Sequence, residues 1–165
     1  MSRMRVGAAL LLLMVGTLWL LAPGRPALAT GAVPAPWTDG VWVHGDPVTL
    51  EALAGEVVVL EFWATWCGPC LAQMPKLADL HERYHAEGLR IVAVTDEPAG
   101  KAVQVKLRFD LPFGILAESR LAGAYGVRQI PYAVVIGRDG LIAWQGNPGG
   151  GLEGAVRAAL SRPRG

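Results

Sequence analysis

Val57 to Phe62 are six residues, apolar apart from Glu61, and within five more residues the chain reaches Cys67-Gly68-Pro69-Cys70. A short, continuously apolar, β-branched run is the pattern of a central strand covered on both faces. Beyond it, Leu71, Met74, Leu77, Ala78, Leu80 and Tyr84 recur at spacings of three and four, which places one apolar stripe on a helix over 67–87. Gly88 stands where a left-handed C′ residue would end that helix. A buried strand running almost directly into a long amphipathic helix leaves few folds open. The two cysteines, the only ones in 165 residues, sit at the junction.

The flanking chain extends this into an α/β pattern. Ile91 to Thr95 is a second buried strand, so strand, helix and strand form a βαβ unit with its strands parallel. Pro98 can start a helix that runs to Phe109. Pro112 to Leu116 reads as a short strand and Ser119 to Tyr125 as a short helix. Strands at Tyr132–Ile136 and Leu141–Gln145 are joined across Gly137-Arg138-Asp139-Gly140, where Asp-Gly signals a tight hairpin. Pro75 falls inside the long helix and should kink it. A last helix spans Leu152–Ser161. Val41–Val43 and Val48–Leu50 flank His44-Gly45-Asp46-Pro47, an arrangement that predicts an N-terminal β-hairpin. The predicted architecture is a mixed central sheet with helices on both faces and that hairpin as an extension.

The first 29 residues read differently. Arg3 and Arg5 precede a 17-residue apolar run over 6–22, Pro23-Gly24 break it, and Ala27-Leu28-Ala29 follow. A basic start, an apolar middle and an A-x-A end describe a secretory signal peptide. The run is also close to the minimum length for a membrane span, so 1–29 is expected either to be cleaved after Ala29 or to remain as an N-terminal anchor. Both place residues 30–165 outside the cytoplasm, with the arginines held inside. Residues 30–40, rich in Pro and Gly, are expected to be a linker, and 41–165 one domain. The full chain carries 15 basic and 14 acidic residues, and three of the basic ones are Arg3, Arg5 and Arg25. Twelve and fourteen remain, a net of −2, which offers no electrostatic footprint for nucleic acid.

A Cys-x-x-Cys pair at a strand-to-helix junction has a specific chemical use. Cys67 would cap the helix N-terminus, where unpaired N–H groups and the macrodipole favour an anion and lower the thiol pKa. The thiolate is the attacking species in disulfide exchange. Cys70, one turn in and more buried, would stay protonated until it attacks the mixed disulfide. Pro69 costs the first turn no needed donor. A structural staple between residues this close would constrain little of the unfolded chain. The spacing from Cys67 and Cys70 to His81 and His85 is near that of a zinc finger. On one continuous helix, however, Cys70 and His81 lie about 16 Å apart, so no metal site is expected and the two histidines read as a solvated helix face. Glu61 is the one charge in the first buried strand. It must either carry a raised pKa or reach solvent.

Phe62-Trp63-Ala64-Thr65-Trp66-Cys67-Gly68-Pro69-Cys70 resembles the active-site signature of the thioredoxin superfamily. With the leader, the chain most resembles extracytoplasmic thiol–disulfide oxidoreductases of the TlpA/ResA type. The resemblance covers about residues 41–161. Pro75 falls where that family's helix is kinked, residues 96–112 resemble its insertion after the second strand, and Ile130-Pro131 resembles its cis-proline. The sequence alone leaves that bond open, because most X–Pro bonds are trans. The resemblance implies a cis bond facing the cysteines, with the Ile130 backbone free to pair with an extended substrate. It implies a thioredoxin-like three-layer fold, Cys67 as nucleophile, Cys70 as resolving thiol and Glu61 as acceptor of the Cys70 proton. Trp66, Gly68, Pro69, Ile130 and Pro131 would form the substrate-binding surface, and Trp63 the scaffold beside it.

The same resemblance implies a periplasmic reductase of protein disulfides, for example in cytochrome c maturation, acting as a monomer. Its only redox group would be the Cys67–Cys70 dithiol, with no added cofactor. Electrons would come from a membrane thiol transporter of the DsbD/CcdA kind. Two further readings share the fold. A disulfide oxidase or isomerase would suit an oxidising compartment, but Gly-Pro between the cysteines, Ile130 before Pro131 and an acid at 61 resemble reducing thioredoxins. A copper chaperone would resemble Cys-x-x-x-Cys with a distant histidine, and this chain has one residue fewer between its cysteines. A peroxidase reading lacks its Thr-x-x-Cys.

Overall fold

The structure is a computed structural model that describes residues 28–163. The leader expected over 1–29 lies outside the described residues except for its last two positions. Among the described residues no helix is long and apolar enough to cross a membrane.

Six strands form one sheet in the order β1-β4-β3-β2-β5-β6. They are β1 (Val41–His44), β2 (Val57–Phe62), β3 (Leu89–Val94), β4 (Gly114–Ala117), β5 (Tyr132–Ile136) and β6 (Ile142–Gly146). The helices are α1 (Gly68–Tyr84), α2 (Ala99–Phe109), α3 (Leu121–Ala124) and α4 (Leu152–Leu160). β2 lies in the sheet's interior and every one of its residues is buried, as its unbroken apolar run requires. It pairs in parallel with β3, Val57 beside Leu89 and Phe62 beside Val94. On its other side it pairs antiparallel with β5, Phe62 beside Tyr132.

Strand alternation divides the core in two. Val57, Val59 and Trp63 face one layer, packed with Cys70, Met74, Leu77 and Leu80 of α1, Ala102 and Val105 of α2, and Val156 and Ala159 of α4. Val58, Leu60 and Phe62 face the other, packed with Trp37, Leu121 and Tyr125. Helices thus cover both faces, and α1 meets the same face as the odd-numbered residues of β2. α1 continues through Pro75, which lies on its solvent side. It ends at Tyr84, and the last turn to Glu87 tightens into a 3-10 helix before Gly88 at φ 100°.

The expected N-terminal hairpin does not form. β1 pairs antiparallel with β4, Val41 beside Ala117 and Trp42 beside Leu116, and residues 48–50 stay outside the sheet. Pro47 has no N–H to give a ladder, and β4 presents a full edge for β1 to complete. The Val48 carbonyl instead accepts the Trp37 indole N–H at 2.5 Å.

Residues 30–40 contain no helix or strand, as their Pro and Gly content predicts. They are nevertheless fastened along the sheet. Gly31 N–H donates to the Ile142 carbonyl at 2.7 Å, and Ile142 N–H donates to the Ala32 carbonyl at 3.0 Å. The Tyr125 hydroxyl donates to the Ala35 carbonyl at 2.9 Å. Asp39 accepts from Ser119 Oγ and the Arg120 N–H, and Trp37 is buried in the core layer opposite α1.

This strap makes Trp37 a stability determinant remote from the cysteines. Trp37→Ala is expected to cost about 3–5 kcal/mol in urea unfolding. The reduced variant should keep the wild-type rate of thiol alkylation under native conditions. A change in that rate as large as the stability loss would mean that the two faces are not separable.

Candidate active site

The site lies where β2, β3 and β5 end and α1 begins. Because β2 and β3 are parallel with Phe62 beside Val94, the loops after both strands emerge together at one edge of the sheet. Because β5 runs antiparallel with Tyr132 beside Phe62, Pro131 and Ile130 lie alongside the chain as it leaves β2. The Ile130–Pro131 bond is cis.

Cys67 is the N-cap residue of α1, with extended backbone at φ −86° and ψ 93°. Its sulfur accepts the Cys70 N–H at 3.2 Å, and its own N–H donates to the Ala64 carbonyl at 3.1 Å. Gly68 and Pro69 form the first turn. Cys67 and Cys70 are joined in a disulfide, with Cα atoms 5.2 Å apart. Cys67 keeps 5% exposure and Cys70 none, so of the two residues only Cys67 touches solvent. Beside it Trp66 is 75% exposed, a large apolar ring left in water, and Gly68 and Pro69 are exposed too. Trp66, Ile130, Gln129, Arg128 and Asp96 line one groove of about 510 Å³. Pro131 itself is buried behind it.

Glu61 is fully buried. It sits on the same face of β2 as Val59 and Trp63, the face that packs against Cys70 and Met74. Its cross-strand neighbours are Ala93 and Ala133, whose small side chains leave room for the carboxyl. Neither of its oxygens has a hydrogen-bond partner among the described residues, nor does the Trp63 Nε1 two positions along. Burial drives the Glu61 pKa well above the usual glutamate value. Of the two expectations for Glu61, a solvated edge and a buried acid with a raised pKa, the second holds.

Sequence reasoning missed Glu97. It is buried, and its carboxylate accepts the Thr65 backbone N–H and the Thr65 hydroxyl, the latter at 2.8 Å. Lys101 Nζ donates to it at 2.9 Å from the first turn of α2. Burial alone would raise its pKa, and the Thr65 and Lys101 hydrogen bonds overcome that and hold it below the usual value. Its signal is positional. Thr65 stands three residues past the end of β2 and Glu97 three past the end of β3, and those two ends lie side by side.

The histidines are not brought to the cysteines. His44 lies in β1, at the sheet's edge three strands from β2. His81 is not a solvated face residue. It is half-buried, stacks on His85 with ring centroids 4.7 Å apart and meets Phe113 edge-on. Burial, with the charges of His85 and Arg90, lowers its pKa to about 4.

The family model for AhpC/TSA matches residues 33–145, more than half of the chain. The thiol-disulfide oxidoreductase ResA of Bacillus anthracis is 33% identical over 108 residues, which are 62% of this chain and 61% of that protein. ResA of Oceanobacillus iheyensis is 32% identical over 125 residues, 74% of this chain and 60% of that one. The chain therefore spans about three fifths of the length of these curated relatives. Among solved structures, a Chlorobium tepidum chain described as the thiol:disulfide interchange protein DsbE is 28% identical with a TM-score of 0.71, covering 82% of this chain and 100% of that one. With a six-stranded thioredoxin-like sheet, a Cys-x-x-Cys pair at the head of α1 and similarity to ResA proteins, the chain belongs to the AhpC/TSA family.

Proposed function

We propose that the protein is an extracytoplasmic thiol–disulfide oxidoreductase that reduces protein disulfides. The observation that carries this reading is Cys67 capping α1 with its sulfur at the Cys70 N–H. A thiolate there is favoured by the helix N-terminus, as the exchange reaction requires. The similarity to ResA and DsbE proteins supports the same chemistry.

In the reductive direction, the Cys67 thiolate attacks one sulfur of a substrate disulfide. That S–S bond breaks, a Cys67–substrate disulfide forms, and the departing substrate thiolate takes a proton from water. Cys70 then loses its proton to the Glu61 carboxylate and attacks Cys67 Sγ. The mixed disulfide breaks, the second substrate sulfur leaves as a thiolate and is protonated, and Cys67–Cys70 closes. Two electrons have passed to the substrate. Glu61 ends this half of the cycle protonated, which agrees with the raised pKa of a buried, unpartnered carboxyl on the face that packs against Cys70, and it returns the proton to Cys70 when the disulfide is next reduced. Trp66, Gly68, Pro69 and Ile130 form the docking surface, with Pro131 behind it. Reduction of the disulfide falls to a membrane thiol transporter of the DsbD/CcdA kind, and residues 1–29 act as export signal or anchor. The protein works as a monomer, with no cofactor beyond the dithiol. An apocytochrome c is one substrate consistent with this reading.

Replacing Cys70 with Ser should trap substrates on Cys67 as mixed disulfides visible on non-reducing gels, whereas Cys67→Ser should trap none. Trapping by the second variant alone would reverse the roles. The potential measured against glutathione should lie near the thioredoxin value of about −270 mV; a value near the DsbA value of about −120 mV would make the protein an oxidant.

Glu61 adds a pH signature. A carboxyl whose folded pKa is raised binds its proton more tightly than in the unfolded chain. Stability should therefore fall as pH rises from the unfolded value of about 4.3 toward the folded one. Glu61→Gln should remove that fall, so the oxidised variant gains on the wild type as pH rises above about 4.3 in urea titrations. Parallel pH profiles for the two proteins would show Glu61 ionised in the fold.

A further inference from the structure

We propose that Glu97 is a positioning residue for the dithiol: its carboxylate clamps the Ala64–Trp66 turn and so sets the pose of Cys67 at the head of α1. This rests on the thiol chemistry proposed above and extends it to a residue outside the Cys-x-x-Cys motif.

The geometry is specific. The chain from β2 to the Cys67 cap is only four residues long, 63–66, and Cys67 N–H returns to the Ala64 carbonyl. Within that turn Thr65 offers its backbone N–H and its hydroxyl, and Glu97 accepts both, one on each carboxylate oxygen. A two-point contact fixes orientation as well as distance. Glu97 is itself held from three sides. Its N–H donates to Thr95 Oγ1 at 3.3 Å. Its carbonyl accepts the Glu118 N–H at 3.1 Å, and Lys101, in the first turn of α2, neutralises the carboxylate. The clamp is therefore anchored in the chain leaving β3, in the chain leaving β4, and in α2. Trp63 and Ala64 are packed in the core, but Trp66, directly after Thr65, is 75% exposed, so its ring gives this part of the turn no core packing. What packing does not fix, the carboxylate does.

Cys67 caps α1 only while its sulfur stays near the Cys70 N–H. Releasing Thr65 loosens the turn that delivers Cys67 to that place, and the thiolate loses part of its helix-terminal stabilisation. A purely electrostatic role has the opposite sign. A nearby carboxylate disfavours a thiolate, so removing its charge would raise the thiolate fraction.

The test is the thiol titration of Cys67, followed by absorbance at 240 nm in the reduced protein with Cys70→Ser in every variant. This readout does not depend on any substrate, so failure of the reductase reading and failure of this proposal are separable. Glu97→Ala should lower the Cys67 thiolate fraction at pH 7 by roughly threefold to tenfold. Glu97→Gln keeps an acceptor oxygen for Thr65 without the charge and should stay within about twofold of the wild type. Should Glu97→Ala fail to fold, Thr65→Val removes the hydroxyl bond alone and should still lower the fraction, by about twofold. Two results would overturn the proposal. One is a lower melting temperature in Glu97→Ala with the Cys67 titration unmoved. The other is a thiolate fraction that rises in both Glu97 variants.

Discussion

The hydrogen bond from the Cys70 N–H to Cys67 Sγ is the contact on which the rest of the structure converges. A helix N-terminus leaves its first N–H groups without helical partners. In α1 a sulfur takes the place that serine or aspartate fills in most caps. That choice gives the helix a less effective neutral cap than an oxygen would. In exchange, the terminus favours the charged form of the cap. The arrangement works only if the helix is held at a fixed height above the sheet. Met74, Leu77 and Leu80 hold it there by packing on the odd-numbered face of β2. The buried strand, the apolar stripe and the cap are one device.

Glu61 is the exception inside that device. A carboxyl without partners in a core layer lowers stability. The surrounding alanines at 93 and 133 reduce the steric part of that cost and leave the electrostatic part in place. A core optimised for stability alone would place a valine or isoleucine at 61, like its neighbours at 57 to 59. The acid is tolerable because it can be neutral, and the proposed reaction uses it as the proton acceptor on the β2 face that packs against Cys70. Glu97 shows the opposite solution. Three donors surround it, and its charge is satisfied where it stands. The two carboxyls flank one turn, and environment alone separates their chemistry.

What the sequence made legible was local. The apolar run over 57–62, the three-and-four spacing after Cys70, and the Asp139-Gly140 turn each announce themselves within a few residues, and β2, α1 and the β5–β6 hairpin bear them out. The cap at Cys67 was legible for the same reason. What depended on tertiary register was not. Val41–Val43 reads the same whether its partner is 48–50 or β4, and only the open edge of β4 decides. The stretch 30–40 reads as irregular because it is irregular. Nothing in Pro34, Pro36 or Trp37 says that a sheet face lies beneath them. The bond between Glu97 and Thr65 spans 32 positions and exists because Phe62 and Val94 stand in register. His81 read as exposed because the helix stripe alone does not reveal Phe113 across from it.

In the proposed reaction, position at the helix terminus, rather than mere presence in the motif, makes Cys67 the attacking thiolate. Limiting iodoacetamide applied to the fully reduced protein at neutral pH, followed by peptide mass mapping, tests this directly. Alkylation confined to Cys67, with Cys70 unmodified until the protein is denatured, is the predicted result. Modification of Cys70 first, or of both at equal rates, would contradict it.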